Sequence, residues 1–238
     1  MEGSRRQRFA TGFRVGAPIM LGYAPVSFAF AVGAVGMGLP WWLVVLISIT
    51  NFTSAGQAKG SELIVAHAPL YEIGSTVFVI NIRYMLMSLS LTQRMLKMPL
   101  MKRLILANGV TDEIYFLAMK QEKLTGWFFA GLSAGPYLGW VGGTLAGALA
   151  GAVLPERILS ALGIALFAMF IAIVVPEIKK SRPVLCVALI AVALSVTFAY
   201  VPFVNQVPSG WALIIAAVAA SAIGALCFPV SEKEASEE

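Results

Sequence analysis

Apolar runs of about 20 residues, each long enough to span a bilayer as a helix, follow one another along the chain with charge confined to the short stretches between them. That pattern restricts the protein to an all-α, polytopic membrane helix bundle. Of 238 residues, 59% are hydrophobic and 12% charged, about half the charged share of a soluble domain. Residues 1–238 therefore read as a single integral membrane domain, with a short N-terminal segment at 1–12 and an acidic tail at 230–238.

Runs of spanning length lie at 13–36, 41–66, 73–92, 127–153, 158–176, 183–204 and 210–229. An eighth, 103–119, carries Asn108, Thr111, Asp112 and Glu113 in its middle. The basic N-terminus resembles the start of a signal peptide, but the apolar run after it continues to about Val35 without a small-residue cleavage site at the right depth. It reads as an uncleaved first helix.

The positive-inside rule places Arg5, Arg6, Arg8 and Arg14 in the cytoplasm together with Lys179, Lys180 and Arg182. Two topologies satisfy this. With eight crossings, Arg94, Lys97, Lys102 and Arg103 fall outside. With six, residues 41–70 re-enter as a hairpin, 103–119 does not span, and every basic cluster is cytoplasmic. Both put both termini in the cytoplasm. The expected location is a bacterial inner membrane.

Two internal regularities stand out. "PIMLGY" (18–23) followed by "GMGLP" (36–40) parallels "PYLGW" (136–140) followed by "GAVLP" (151–155), which suggests two related halves whose matched helices run in the same direction. Glycines at 131, 135, 139, 143, 147 and 151 form a ridge that lets another helix approach closely; Gly135, Gly139, Gly143 and Gly147 are its centre. Ala212, Ala216, Ala220 and Gly224 repeat the spacing. Either an internal helix or a second membrane subunit could cover such a ridge.

Polar groups at membrane depth cost on the order of 2.5–3.5 kcal/mol for a charge at a helix centre, and so mark functional candidates. Three clusters qualify. In "NFTSAGQAKGSEL", Asn51, Ser54, Gly56 and Gln57 interrupt two apolar flanks, and Gly56 and Gly60 offer the easiest place for a helix break. A broken helix presents free N–H and C=O groups that suit a zwitterion. The alternative is a helix end at the interface, with Lys59 and Glu62 reaching headgroups. In "VINIRYMLMSLSL", Asn81 and Arg83 sit between apolar runs, Arg83 either facing a carboxylate or snorkelling. In "NGVTDEIYFLAM", Asp112 and Glu113 point to different sides of a helix, so one could pair with Arg83 while the other takes up a proton or faces water. There the alternative is an N-cap at Thr111 or Asp112.

Other chemistries find little support. The basic residues lack the interleaved aromatics of a nucleic-acid surface. Cys186 and Cys227 lie singly in apolar runs, without metal-site spacing, and no P-loop or HExxH is present. No cofactor or metal site is expected, nor an enzyme with a catalytic residue. His67 is the single histidine, close to an expected loop, and the methionines are too irregular for a metal channel.

Taken in order, "SAGQA", "NIRY" and "LANGVTDEIYFLA" resemble the AzlC family of branched-chain amino acid exporters, whose pattern is "GAxQ", "NLRH" and "LTDExFAL". The resemblance runs from about Phe13 to Met119 and more loosely beyond. It points to Gly56 and Gln57, Asn81 and Arg83, and Thr111, Asp112 and Glu113. It implies a proton-coupled secondary transporter exporting apolar amino acids beside a small AzlD-like membrane subunit. Two departures are evident: Tyr84 stands where the family often has His, and "QAKGSEL" replaces a more apolar continuation. On residues alone, a channel or a non-transporting scaffold subunit remains open.

Overall fold

The computed structural model describes residues 4–95, 98–121, 124–153 and 181–228, with a few isolated positions between 155 and 179. The expected run at 158–176 and the acidic tail lie outside the described residues. Two compact units emerge, Met1–His67 with Val77–Leu166, and Ala68–Thr76 with Phe167–Glu238. The described residues are helical almost throughout, as the apolar runs require.

The first unit is built on two long helices, α1 (Arg5–Gly36) and α7 (Gly126–Val153). Their contacts advance together along both chains. The Phe9 carbonyl lies against Gly131, Met20 against Gly139, Ala24 against Gly143, Phe28 against Gly147 and Val35 against Gly151. The helices therefore run parallel, with the "LGY" of α1 beside the "LGW" of α7. A Cβ on Gly139 would stand 2.6 Å from the Met20 carbonyl, whereas one on Gly135 would find ordinary contact with Phe13 at 3.5 Å. Reciprocally, Gly12 and Gly16 of α1 face the Phe128 and Leu132 carbonyls. Pro136 has no N–H for the Leu132 carbonyl four residues earlier, and it is this oxygen that abuts Gly16. The glycine ridge is thus covered by the chain's own first helix.

The run at 41–66 is not one helix. It divides into α2 (Trp41–Thr50) and α3 (Ser54–Val65), joined by the non-helical Asn51–Phe52–Thr53, with Thr53 extended. The break falls ahead of Gly56 and Gly60, which the sequence favoured, because a side chain satisfies the end of α2 here: Tyr137 donates its hydroxyl to the Ile49 carbonyl at 2.9 Å. Gly56 and Gly60 serve close packing instead, against Asn81 and Val77. Leu43, Val44 and Val45 near the start of α2 share an apolar cluster with Ile64 and Val65 at the end of α3, and with Phe30, Ala31 and Ala34 of α1. The pair is a hairpin entering beside the far end of α1. His67 closes α3 with a left-handed backbone (φ 55°).

Residues 70–94 form α4 (Leu70–Arg94), and 103–119 again divides, into α5 (Leu100–Ala107) and α6 (Asp112–Met119). Side chains of α6 follow α4: Asp112 meets Arg83, Tyr115 meets Ser90 at 3.1 Å, and the Met119 carbonyl accepts from Arg94 at 3.3 Å. The Met98 methyl, just before α5, touches Gly126 at the start of α7. This second hairpin therefore enters from the end of the unit where α1 and α7 begin, opposite to the first. Arg8 and Lys102 share that end and line one cleft. Neither 41–66 nor 103–119 is one continuous helix.

In the second unit, α8 (Arg182–Tyr200) and α9 (Ser209–Cys227) pack antiparallel, with Pro183 and Phe228 lining one groove and Val187 against Gly224. Ala216, Ala220 and Gly224 form the buried stripe of α9. Glu72 is 3% exposed and accepts the Gly210 N–H at 2.9 Å, capping the start of α9 where a carboxylate is favoured. Helices α1, α4, α8 and α9 are each long and apolar enough to cross a membrane. Their exposed faces carry Leu21, Phe78, Leu86, Leu89, Leu189 and Val192, surfaces suited to lipid.

Candidate functional site

The tips of the two hairpins converge on one short stretch of α4. At the first tip, Asn51 accepts from Thr53 Oγ1 (2.9 Å) and from Asn81 Nδ2 (3.3 Å). At the second, Asp112 Oδ2 pairs with Arg83 Nη1 at 3.0 Å. Only Ile82 separates Asn81 from Arg83, so α4 reaches both tips within one helical turn.

Tyr23 of α1 stands between them. Its hydroxyl lies 2.9 Å from Thr111 Oγ1 and donates a short hydrogen bond to Glu113. Its ring meets Phe52 of the first tip edge-on at 5.8 Å and Trp140 of α7 at 5.3 Å. Phe52 also packs edge-on against Tyr137 and Trp140. The result is an aromatic wall beside the polar groups, with Phe52 and Trp140 each 3% exposed.

Two unsatisfied groups lie at this junction. No side chain caps the N-terminus of α3, leaving its first N–H groups available. Asn81 Oδ1 is buried and has no partner. Gly56 brings them together, since a Cβ there would stand 2.7 Å from Asn81 Oδ1 and 2.5 Å from Thr53 Oγ1. A helix N-terminus favours negative charge and a free amide oxygen accepts from an ammonium.

Gln57 is placed differently from the other members of its cluster. It is fully buried, its Oε1 accepting from Trp140 Nε1 at 3.2 Å and its Nε2 donating to Ser48 Oγ at 3.2 Å. Ser48 in turn bonds Thr144 at 2.8 Å. This network ties α2, α3 and α7 together behind the first tip. Ser54 begins α3 and is half-buried, while Thr50 belongs to α2 and bonds back to the Leu46 carbonyl at 2.8 Å. The break thus separates Thr50 from Ser54, Gln57 and Ser61 of α3.

Asp112 and Glu113 diverge, one to Arg83 and the other to Tyr23. Thr111 is the N-cap of α6, accepting from Ile114 N at 3.5 Å. Capping and ion pairing coexist in this segment. Lys59 and Glu62 bond each other at 2.6 Å along α3, past Gln57 from the tip. Arg83 also donates to the Tyr84 hydroxyl at 3.0 Å. Among the described residues, no group of His, Cys, Asp or Glu could hold a metal ion.

Tyr23, Phe52, Trp140, Ser48 and Thr144 were not singled out by sequence reasoning. One signal for two of them existed: Tyr23 and Trp140 end the matched "LGY" and "LGW" of the internal echo, and their rings touch.

Broken helices meeting around buried polar groups in an apolar bundle define a membrane protein of transporter type. Residues 18–154 match the AzlC protein family, and the chain belongs to that family. It is 31% identical over 198 residues to an uncharacterized membrane protein of Archaeoglobus fulgidus, covering 81% of this chain and 86% of the relative. It is 27% identical over 205 residues to the inner membrane protein YgaZ of Escherichia coli, covering 82% and 83%. No solved structure matches the chain.

Proposed function

We propose that the protein is a secondary transporter that exports branched-chain or related apolar amino acids, coupled to protons and working beside a small membrane subunit of AzlD type. One observation carries the reading: the uncapped start of α3 and the unpaired Asn81 Oδ1 lie together where the two hairpin tips meet. An amino acid offers a carboxylate for the first and an ammonium for the second, and the Tyr23–Phe52–Trp140 wall suits an apolar side chain. Asn51, Ser54, Gly56 and Asn81 form the substrate-binding set. Gln57, enclosed by Ser48 and Trp140, positions the tip from behind.

Arg83, Asp112 and Glu113 form the coupling set. The Arg83–Asp112 pair joins α4 to the second hairpin, and Tyr23–Glu113 joins that hairpin to α1. Breaking one while keeping the other frees the second tip to move, the kind of rearrangement alternating access requires. The basic end of the first unit faces the cytoplasm in this reading. The exposed apolar stripe of α8, with Leu189, Val192 and Val196, supports contact with lipid or the small subunit.

The test is leucine and valine efflux from loaded vesicles containing the chain and its partner subunit. Asn81→Ala and Arg83→Ala should each lower saturable efflux by about tenfold or more, equivalent to about 1.4 kcal/mol. Unchanged efflux in both variants refutes the assignment, and flux that never saturates would make the protein a channel.

A further inference from the structure

At the end of the first unit where α1 and α7 begin, a cleft of about 460 Å3 opens between α1, α5 and α7. Arg8, Lys102 and Thr125 are its polar lining; the remaining walls are apolar and include Ile105 and Trp127. Arg8 Nε is buried without a partner. Among the described residues the ion pairs are Lys59–Glu62 and Arg83–Asp112, so neither cation of the cleft is neutralised by them. Helix α5 begins at this cleft with no side-chain cap, leaving open N–H groups at the same place.

Helix α5 itself supplies the second observation. None of its residues is buried. Leu100, Met101, Leu104 and Ile105 are 69%, 68%, 59% and 68% exposed, and Trp127 stands beside them at 45%. An apolar track thus leads out of a doubly cationic cleft, with a tryptophan of the kind that settles at the headgroup level.

The occupant must therefore carry negative charge at one end and long apolar chains at the other. A free phosphate would satisfy Arg8 and Lys102 but leave α5 uncovered, and a neutral lipid would do the reverse. We propose that this cleft is a binding site for an anionic phospholipid, its phosphate held by Arg8, Lys102 and the start of α5, its acyl chains lying along Leu104, Ile105 and Trp127. Basic recesses between membrane helices recognise such headgroups by the same chemistry.

The full chain, purified in detergent and equilibrated with equal phosphatidylglycerol and phosphatidylethanolamine, is examined by native mass spectrometry. Phosphatidylglycerol should be retained preferentially, with Arg8→Gln and Lys102→Gln each lowering the preference roughly fivefold. Equal retention of the two lipids by the unaltered protein, or an unchanged preference in the double variant, overturns the proposal. Millimolar inorganic phosphate should not displace the lipid; displacement would make this a free-anion site and also overturn it. A photoreactive phosphatidylglycerol on the unaltered protein gives a measurement independent of folding in the variants. Labelling at Ile105 or Trp127 supports the site, and labelling confined to other helices refutes it.

Discussion

Arg83 in α4 and Asp112 in the first turn of α6 form an ion pair at 3.0 Å that holds the tip of the second hairpin to the helix that also carries Asn81. Both side chains are about half exposed, at 49% and 46%. A pair so open to its surroundings contributes modestly to stability, on the order of 0–1 kcal/mol. Its importance lies in what it connects.

Arg83→Ala or Asp112→Asn should therefore leave the purified protein folded, lowering stability by no more than about 1 kcal/mol. On the proposed function, leucine and valine efflux should nevertheless fall by about tenfold or more, equivalent to about 1.4 kcal/mol. The exchange Arg83→Asp with Asp112→Arg should recover part of the loss. Vesicle efflux alongside thermal unfolding separates these effects, and equal loss in both measurements would show a purely structural pair.

Gly56 keeps α3 within reach of Asn81. In Gly56→Ala the added methyl lands 2.7 Å from Asn81 Oδ1, forcing the amide aside at a cost of about 1–3 kcal/mol. If the protein exports amino acids as proposed, the expected result is a raised KM for leucine or valine. An unaltered KM would remove Asn81 from the binding set.

Gln57→Leu fills nearly the same space but leaves Trp140 Nε1 without its acceptor. An unpaired buried donor costs about 1–3 kcal/mol. Thermal unfolding should register that loss, and Trp140→Phe added to Gln57→Leu should cost less than the sum of the two changes. Strict additivity would mean that the bond does not couple α3 to α7.

The parallel α1–α7 contact makes a graded prediction along one ridge. Gly143→Leu and Gly147→Leu drive a side chain into the Ala24 and Phe28 carbonyls and should prevent stable assembly in the membrane. Gly135→Ala, whose Cβ finds only van der Waals contact with Phe13, should cost well under the about 1–3 kcal/mol of overpacking. Yield of monodisperse protein in mild detergent is the readout.

Much of the candidate site is legible in the amino-acid order. Asn51, Asn81, Arg83 and Asp112 are polar groups in apolar runs, and membrane depth makes such groups conspicuous. The enclosure of Gln57 is not legible there, because its partners Ser48, Trp140 and Thr144 come from other helices and are individually ordinary. Nor is Tyr23, since an aromatic residue in a membrane helix carries no signal until two hairpin tips are found beside it.

By itself the amino-acid order determined that the chain is a helical membrane protein with polar interruptions and small-residue ridges, because hydrophobicity and glycine spacing are local properties. Only the tertiary structure decided that residues 41–66 and 103–119 turn back as hairpins from opposite ends, and that α1 rather than another subunit covers the glycine ridge of α7. An apolar run has the same composition whether its helix crosses or returns. Direction is set by which distant side chain satisfies the broken backbone, as Tyr137 does for Ile49.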